Sequence, residues 1–343
     1  MGAMSDTTKP NTLAVPAAEW LKTLAKYREP DQLRSIYELA VTAAPFMTLW
    51  VLAWLALSVS FFLTLLISVP AGFFLVRLFL IQHDCGHGAF FHRRSANDWV
   101  GRVIGVLTLT PYDVWRRSHS IHHATAGNLD QRGIGDIETL TVREYRALPY
   151  WRRVGYRLYR NPWVMFGVGP AYIFLVQNRL PFGLMREGWL YWISAMGTNA
   201  GMAVMSAILM YFIGVGPFLL VHLPIVLIAS SIGVWLFFVQ HQFEDTVWDG
   251  AKDWSFHDAA LYGSSYYELP LVLRWLTANI GVHHVHHLYS RIPFYKLPQI
   301  LRDFPELTQV RRLTLMESFA CVPLCLWDEN RRKLVSLSEA LAR

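Results

Sequence analysis

The sequence is poor in charge. Of its 343 residues 16% are Asp, Glu, Lys or Arg, whereas a soluble domain carries about a quarter. Two stretches, 39–76 and 188–243, contain no charged residue at all. A membrane-spanning helix needs about 20 apolar residues, so each stretch is long enough for two spans. The shortage of charge therefore excludes a soluble globular domain and predicts an integral membrane protein.

Cysteine is scarce as well. The three cysteines are Cys85, Cys321 and Cys325, too few for the disulfide framework of a small secreted domain. Cys321 and Cys325 lie one helical turn apart, and we predict that they pack in the interior rather than bind zinc. Residues 1–35 are polar and charged with no short apolar core, so we expect a loose tail and an interfacial helix there, not a cleaved signal.

The apolar stretches define the predicted architecture. We expect one membrane domain over 36–343, an all-α integral membrane protein with four transmembrane helices arranged as two hairpins. The predicted spans are about 38–58, 61–83, 189–211 and 216–241. The apolar piece 161–178 is rich in Gly and Pro, and we interpret it as interfacial or re-entrant. The remaining segments, 84–187 and 242–343, then lie on one side of the membrane and form a helical cap.

The net charge of +6 is explained by where the basic residues lie. Lys and Arg gather in the N-terminal tail, in 93–187 and near the C-terminus, which is the positive-inside pattern. It predicts that both termini and the cap are cytoplasmic. A basic cytoplasmic surface can also hold anionic lipid headgroups. The candidate headgroup-binding residues are Arg93, Arg94, Arg116, Arg117, Arg152 and Arg153.

Histidine is abundant in the predicted cap. Eight of the 13 histidines fall into three clusters spaced three or four residues apart, so each cluster shares one helix face. These histidines are His83 and His87, then His119, His122 and His123, and finally His283, His286 and His287. Neutral imidazole is the commonest metal-ligating side chain, and three clusters on one predicted membrane face indicate a metal centre in the cap.

The number of histidines predicts two metal ions, because eight imidazoles exceed what one ion coordinates. Nitrogen-rich sites suit iron, copper, nickel and zinc, and a redox metal fits best because hydrolysis needs fewer ligands. His241 ends the fourth predicted span at the depth of His83, and we predict it as a ninth ligand. His284 points about 100° away from His283 on a helix, so we expect it at the surface or beside a ligand.

Metal-bound imidazoles need their outer nitrogen held, usually by a carboxylate or a carbonyl oxygen. Five carboxylates close in sequence to the clusters are the candidates for this role: Asp84, Asp113, Asp136, Glu244 and Asp245.

Taken with their flanking residues, the clusters resemble the membrane fatty acid desaturase family. The similarity extends from about 75 to 300 and is carried by H-x-x-x-H, H-x-x-H-H and a distal H-x-x-H-H. The flanking text resembles the bacterial acyl-lipid Δ12 (omega-6) branch. Its motifs are HDCGHGAFF, TPYDVWRRSHSIHHATAGNLD, GDIETLTVREY, VQHQFEDTVW and TANIGVHHVHHL. The third cluster departs from the family in carrying His284, where an apolar residue is common.

The resemblance implies a di-iron centre that activates dioxygen and removes two hydrogens from adjacent methylenes of an acyl chain, leaving a cis double bond. Two electrons come from a carrier such as ferredoxin or a cytochrome b5-like protein. That carrier is a separate protein, since the chain has no His-Pro-Gly-Gly haem motif. The metal ions carry the oxidation, while the protein positions the acyl chain and excludes side reactions.

Two other functions stay open at this stage. The same three-cluster plan serves hydroxylases of fatty acyl chains, alkanes or carotenoids, which add an oxygen atom instead of removing two hydrogens. A histidine-rich membrane protein could also bind or transport metal ions. Transport predicts ionisable residues inside the spans, and the long uncharged stretches offer essentially only His222 and Asn199.

Overall fold

A computed structural model of the protein describes residues 17–342, and the predicted loose tail at 1–16 lies outside that part. The described chain is mostly helical, in agreement with the predicted fold class. In chain order its α-helices are α1 (Ala17–Leu24), α2 (Gln32–Ala56), α3 (Phe61–His87), α4 (Arg94–Leu107), α5 (Tyr112–Thr125), α6 (Val142–Ala147), α7 (Tyr150–Tyr159), α8 (Gly169–Leu175), α9 (Trp189–Ile213), α10 (Val215–His241), α11 (Phe256–Tyr262), α12 (Leu271–Leu276), α13 (His283–Leu288), α14 (Leu297–Asp303), α15 (Leu315–Ser318) and α16 (Leu337–Leu341).

Four helices, α2, α3, α9 and α10, are 25 to 27 residues long and apolar enough to cross a membrane. They coincide with the four predicted spans. The helix α2 begins at Gln32, before the predicted start near 38, because the Asp31 side chain accepts a hydrogen bond from the Arg34 N–H and caps the helix. The helix α3 continues to His87 and ends at Gly88, whose left-handed backbone (φ +67°) favours glycine.

The helix α3 is the centre of the bundle. It packs against α2 and α10 along the spans and against α4 and α5 where it enters the cap, whereas α9 is the least covered of the four. Its connection to α2 is a turn of four residues, and its Thr64 hydroxyl donates to the Ala53 carbonyl across that pair (3.0 Å). The first histidine cluster therefore sits at the end of the most buried span.

A buried ion pair joins α2 to α3. The Arg77 guanidinium donates to the Glu38 carboxylate and to the Thr42 hydroxyl, the latter at 3.1 Å. Arg77 and Glu38 are each 1% exposed. Arg77 also donates to the backbone carbonyl of Trp275, which lies in the cap, and its guanidinium stacks 4.1 Å from the centre of the Trp275 ring. The pair thus extends from the spans to the segment that precedes the third histidine cluster.

The cap consists of short elements. The segment predicted to be re-entrant, 161–178, forms a π-helix over Val164–Val168 followed by α8, and both pack against α10. Neither element is long enough to cross a bilayer. Trp163, Val168 and Tyr172 on this segment are more than half exposed, as expected for a segment at a membrane interface.

Five short strands were not anticipated in the all-α prediction. They are β1 (Leu140–Thr141), β2 (Tyr266–Glu268), β3 (Arg312–Thr314), β4 (Leu324–Asp328) and β5 (Lys333–Ser336). One sheet has the order β1-β4-β5, with β1 parallel and β5 antiparallel to β4, and β2 pairs in parallel with β3. Both sheets lie in the cap, and the pairing of β1 with β4 joins the cap segments 84–187 and 242–343.

The helix α1 was predicted to lie on the membrane, and this expectation is wrong for its apolar face. Trp20, Leu24 and Tyr27 are at most 5% exposed, and the Trp20 and Tyr27 rings pack edge-on against Phe304 of the cap. The amphipathic pattern was read correctly, but the face is buried against protein, because an apolar stripe does not specify which apolar partner covers it.

Candidate metal centre

The nine predicted ligand histidines meet at one place, where α3 and α10 enter the cap. His83 and His87 lie in the last turns of α3, and His241 is the last residue of α10. The helices α5 and α13 supply the second and third clusters, and all six residues of α13 are buried. Histidines that lie far apart in the sequence, from His83 to His287, are thus brought close together in space.

The first group of histidines contains five imidazoles. Its members are His83, His87, His119, His123 and His286, and one ring nitrogen of each lies within 4.8 Å of all the others. The Nε2 atom of His119 lies 3.0 Å from that of His83 and 3.1 Å from that of His123. The His123 Nε2 is in turn 3.1 Å from the Nε2 of His286. All three clusters contribute to this group.

The second group contains His122, His241 and His287, whose ring nitrogens also lie within 4.8 Å of one another. The Nε2 atoms of His122 and His241 are 3.2 Å apart. His283 adjoins the group, because its Nε2 lies 2.9 Å from the His241 Nε2. His241, predicted on its position alone, is therefore at the centre of this group.

Both groups fit metal ions. Two nitrogens about 2.1 Å from a common ion and at a right angle are about 3 Å apart, which is the spacing of the Nε2 pairs here. The Nε2 atoms of His87 and His287 are buried and have no hydrogen-bond partner among the described residues. An ion in each group would use these atoms, whereas imidazoles alone cannot satisfy so many converging nitrogens.

The electrostatic environment favours the ligand form of the rings. Burial, with the neighbouring imidazoles, lowers the pKa of His119, His123, His286 and His287 well below its usual value. These rings are therefore neutral, and neutral imidazole is the form that binds metal.

Two of the five candidate carboxylates contact the histidines. The Asp84 Oδ1 lies 3.3 Å from the His83 Nδ1, and Asp136 pairs with the Nδ1 of His122. In both histidines, the Nε2 atom then faces the other imidazoles of its histidine group. Asp136 reaches His122 because Gly135 adopts a left-handed backbone (φ +80°), where a Cβ atom would lie 2.9 Å from the Ser118 carbonyl oxygen.

The other three candidate carboxylates do not contact a histidine, which corrects the prediction. Asp113 pairs with Arg102 and Arg116, Glu244 with Lys333, and Asp245 with Arg311. A basic side chain close in space holds each carboxylate, and proximity along the sequence did not reveal those partners.

His284 is not at the surface, contrary to one of the two predicted locations. It is fully buried, and its ring lies beside Tyr266 and against the backbone of Ser265 and Leu307. Burial lowers its pKa to about 4. Neither of its nitrogens makes a well-directed hydrogen bond within the described chain. As predicted from its angle on the helix, it belongs to neither histidine group.

Left-handed backbone precedes two of the ligand helices. Leu109 (φ 55°) lies before α5, and Ala278 (φ 48°) and Asn279 (φ 55°) lie before α13. Such conformations are costly for residues other than glycine and persist only where the surrounding structure imposes them. The sequence offered no signal for Leu109 or Ala278, since neither residue type favours this region.

An apolar cavity of about 440 Å³ reaches the histidines between α3 and α10, with α8 alongside. It contacts His83 and His119 of the first group, and His283. A polar pocket of about 550 Å³ contacts His87 and His119 from another side. Trp115 and His119 line both spaces, and the Trp115 ring stacks on His119 with centroids 4.6 Å apart.

Trp115 and Phe237 were missed in the sequence. Trp115 lies four residues before His119, and Phe237 lies four residues before His241 and packs against it at 5.0 Å. An aromatic residue one turn before a ligand histidine on the same helix face is a signal that could have identified both.

The candidate headgroup residues are divided by the structure. Arg94, Arg116 and Arg117 line the polar pocket, as does Arg291, which had not been predicted. Arg152 and Arg153 lie on α7 and do not line the pocket. Arg93 precedes α4 and is not a lining residue either. Of the six candidate arginines, three therefore line the polar pocket and three do not.

The chain matches the fatty acid desaturase family over residues 60–317, a range that contains all nine histidines. The chain belongs to the fatty acid desaturase family. The desaturase is thus an oxidoreductase of lipid metabolism, and its family and four apolar helices indicate a membrane protein. The histidine groups are compatible with the metal site of such an enzyme.

Individual relatives agree with this assignment. The desaturase is 45% identical to a fatty acid desaturase of Bacillus subtilis over 326 residues, which is 95% of this chain and 92% of the relative. It is 30% identical to an sn-1 acyl-lipid omega-3 desaturase (ferredoxin) of Synechocystis, over 64% of this chain and 61% of the relative. An sn-1 oleoyl-lipid 12-desaturase of Synechocystis is 27% identical, over 66% and 64%.

Proposed function

We propose that the protein is a di-iron acyl-lipid desaturase that introduces a cis double bond at the Δ12 (omega-6) position. The observation that carries the proposal is an apolar cavity that contacts the first nitrogen-rich histidine group at His83 and His119, and also contacts His283 beside the second group. An unactivated methylene offers no polar handle for acid–base or nucleophilic chemistry. The oxidation therefore falls to a redox metal, and the protein contributes position and exclusion of water.

The nine histidines are the proposed ligands of two iron ions, one at each group. When bound, the ions would supply the reductive activation of dioxygen, using electrons from a separate donor protein. The protein holds the rings in one tautomer through Asp84 and Asp136, which contact the Nδ1 atoms of His83 and His122. The apolar cavity would hold the acyl chain so that its reacting methylenes pass His83 and His119.

The polar pocket is the proposed place of the substrate headgroup. It lies between the end of α3 and Tyr191 at the start of α9, the level at which both helices leave their apolar spans. Four arginines and two aspartates line it, and Arg291 has no carboxylate within 4 Å in the described chain. An acyl lipid whose phosphate lies here could extend its chain past Trp115 into the apolar cavity.

The positive-inside pattern supports a cytoplasmic cap in a bacterial inner membrane, with both termini on the same side. Electrons would then arrive from a separate cytoplasmic donor, either a ferredoxin or a cytochrome b5-like protein. The Synechocystis omega-3 relative carries ferredoxin in its name, which favours the former.

The test is expression in a host that lacks the predicted double bond, followed by mass spectrometry of its fatty acids. We expect products lighter by two hydrogens and a double bond at Δ12, together with about two iron atoms per purified chain. A gain of one oxygen atom would support the hydroxylase alternative instead. Zinc in place of iron, with no dioxygen-dependent product, would contradict the di-iron proposal.

The control for this experiment is a histidine outside both groups. His257 is partly buried on α11 and lines neither the apolar cavity nor the polar pocket. The His257→Ala protein should retain iron and activity, whereas His122→Ala should lose activity while still inserting into the membrane.

A further inference from the structure

Arg77 and Glu38 are ionisable residues buried inside a membrane bundle, a placement that is costly and usually functional. Replacing a buried ion pair with apolar residues of similar volume is often neutral for stability or even stabilising. Stability alone is therefore a poor explanation for this pair. Its contacts outside α2 and α3 point to a different role.

Those contacts are with both ends of one cap segment. Before α13, Arg77 donates to the Trp275 carbonyl and stacks on the Trp275 ring. After α13, the same guanidinium lies 5.2 Å from the centre of the Phe294 ring. Trp275 and Phe294 thus bracket the helix that carries His283, His286 and His287, and one guanidinium contacts both of them.

The two ends of this segment also contact each other, and the segment contacts α3 at a second residue. The Asn279 side-chain amide donates to the Phe294 carbonyl (3.4 Å), which joins the two ends. The Phe294 N–H donates to the Asp84 Oδ2 (2.7 Å), and Asp84 Oδ1 lies beside His83. Arg77 and Asp84 are seven residues apart, hence on the same face of α3. One helix face thereby carries both attachment points.

We propose that Arg77, held in place by Glu38, is a positioning residue that fixes segment 275–294 so that α13 can present its histidines to both groups. This inference rests on the proposed metal-binding function. It explains why a charge pair is retained within the spans, since a planar guanidinium can bind a carboxylate and a carbonyl and stack on an aromatic ring at the same time.

The test measures metal binding and does not require turnover. Metal-free protein is titrated with Co²⁺, whose absorption reports coordination by imidazole. In Arg77→Lys the charge remains, but an ammonium cannot reproduce the stacked, forked contacts. We expect affinity at both groups to fall by about 10-fold or more, as much as when a direct partner of a ligand is removed, because α13 contributes a histidine to each group. The neutral double variant Glu38→Met with Arg77→Met should insert and lose affinity similarly.

The matched control is Arg34→Met. The Arg34 side chain is half-exposed and pairs with the same Glu38 carboxylate at 2.6 Å. It makes no contact with segment 275–294 among the described hydrogen bonds and ion pairs. This variant should bind Co²⁺ as the unmodified protein does. Unchanged Co²⁺ affinity in Arg77→Lys and in the double variant, with only a lower thermal midpoint, would overturn the proposal. Failure of the unmodified protein to bind Co²⁺ would instead contradict the proposed function.

Discussion

The two histidine groups share the helices α5 and α13, yet their surroundings differ. The first group borders the apolar cavity and the polar pocket, and its His87, His119 and His123 are only partly buried. The second group is fully buried, and the void beside His122 and His241 has a volume of about 10 Å³, room for no more than one water molecule.

The first group is accessible from two cavities, whereas the second group is enclosed by protein. A substrate chain in the apolar cavity meets the first group at two histidines, whereas near the second group it touches His283, Asp136 and Phe237 but none of the three group histidines. The second group is instead enclosed by protein, with Asp136 and Phe237 packed against His122. We infer that the first group faces the substrate and that the second is held more rigidly. The predictions that follow test this contrast.

The largest effects should come from removing one histidine of each group. His119→Ala should empty the first group and His122→Ala the second, so that each variant retains about one iron. Activity should fall by more than about 100-fold in both, since even an outer partner of a ligand is worth about 10- to 100-fold. Elemental analysis and product formation are the measurements. Loss of both irons from either variant would show that the two groups do not bind independently.

A smaller and more selective effect is expected for Asp136→Asn. This change weakens the hold on the His122 Nδ1, so the affinity of the second group should fall by about 10-fold while the first group is unchanged. A Co²⁺ titration fitted to two sites measures the affinity of each group separately. Asp245→Asn is the control, because that carboxylate is 72% exposed and pairs with Arg311 instead of a histidine. Equal losses at both groups would contradict the assignment of Asp136 to one of them.

The substrate side can be tested at Gly233. It lines the apolar cavity, and a Cβ added there meets open space. Gly233→Leu should fit without strain, shorten the cavity and reduce the rate on the longest acyl chains by about 10-fold, because a misfitting methylene costs about 1–3 kcal/mol. Gly197→Leu on the exposed face of α9 is the control. Fatty-acid profiles unaltered by Gly233→Leu would place the acyl chain elsewhere.

The smallest effect on the metal centre is expected for His284→Ala. Its ring is buried away from both groups, so both irons and most activity should remain, while the cavity costs about 2–4 kcal/mol of stability. His286→Ala, two residues along the same helix, should lose the first iron. Loss of iron from His284→Ala at a temperature where the protein is folded would assign this residue to the centre.

The histidine clusters could be predicted from the sequence because helical spacing is a local property. The division into two groups could not be predicted. His122 and His123 are consecutive, yet they face different groups, and this depends on the angle at which α5 packs between α3 and α13. The pairing of β1 with β4 joins residue 140 to residue 326, and strands of two to five residues carry no periodic pattern of their own.

The carboxylates illustrate the same limit. Asp84, Asp113 and Asp136 looked equivalent in the sequence, each close to a histidine cluster. Asp113 pairs with Arg102 and Arg116, whereas the left-handed backbone of Gly135 places Asp136 against His122. Arg116 and Gly135 lie within three residues of these carboxylates, but the sequence alone does not show which contact each carboxylate makes, so only the folded chain distinguishes them.

The position of α13 along the chain has a consequence for biosynthesis. Each histidine group includes a residue of α13, His286 in the first and His287 in the second. During translation, all four long helices are therefore synthesised before either group is complete. A nascent chain that ends before His283 would contain all four long helices but neither histidine group complete, so under the proposed iron assignment the metal would be loaded after the spans have been made. Arrest of translation at that point should yield a membrane-integrated, iron-free intermediate.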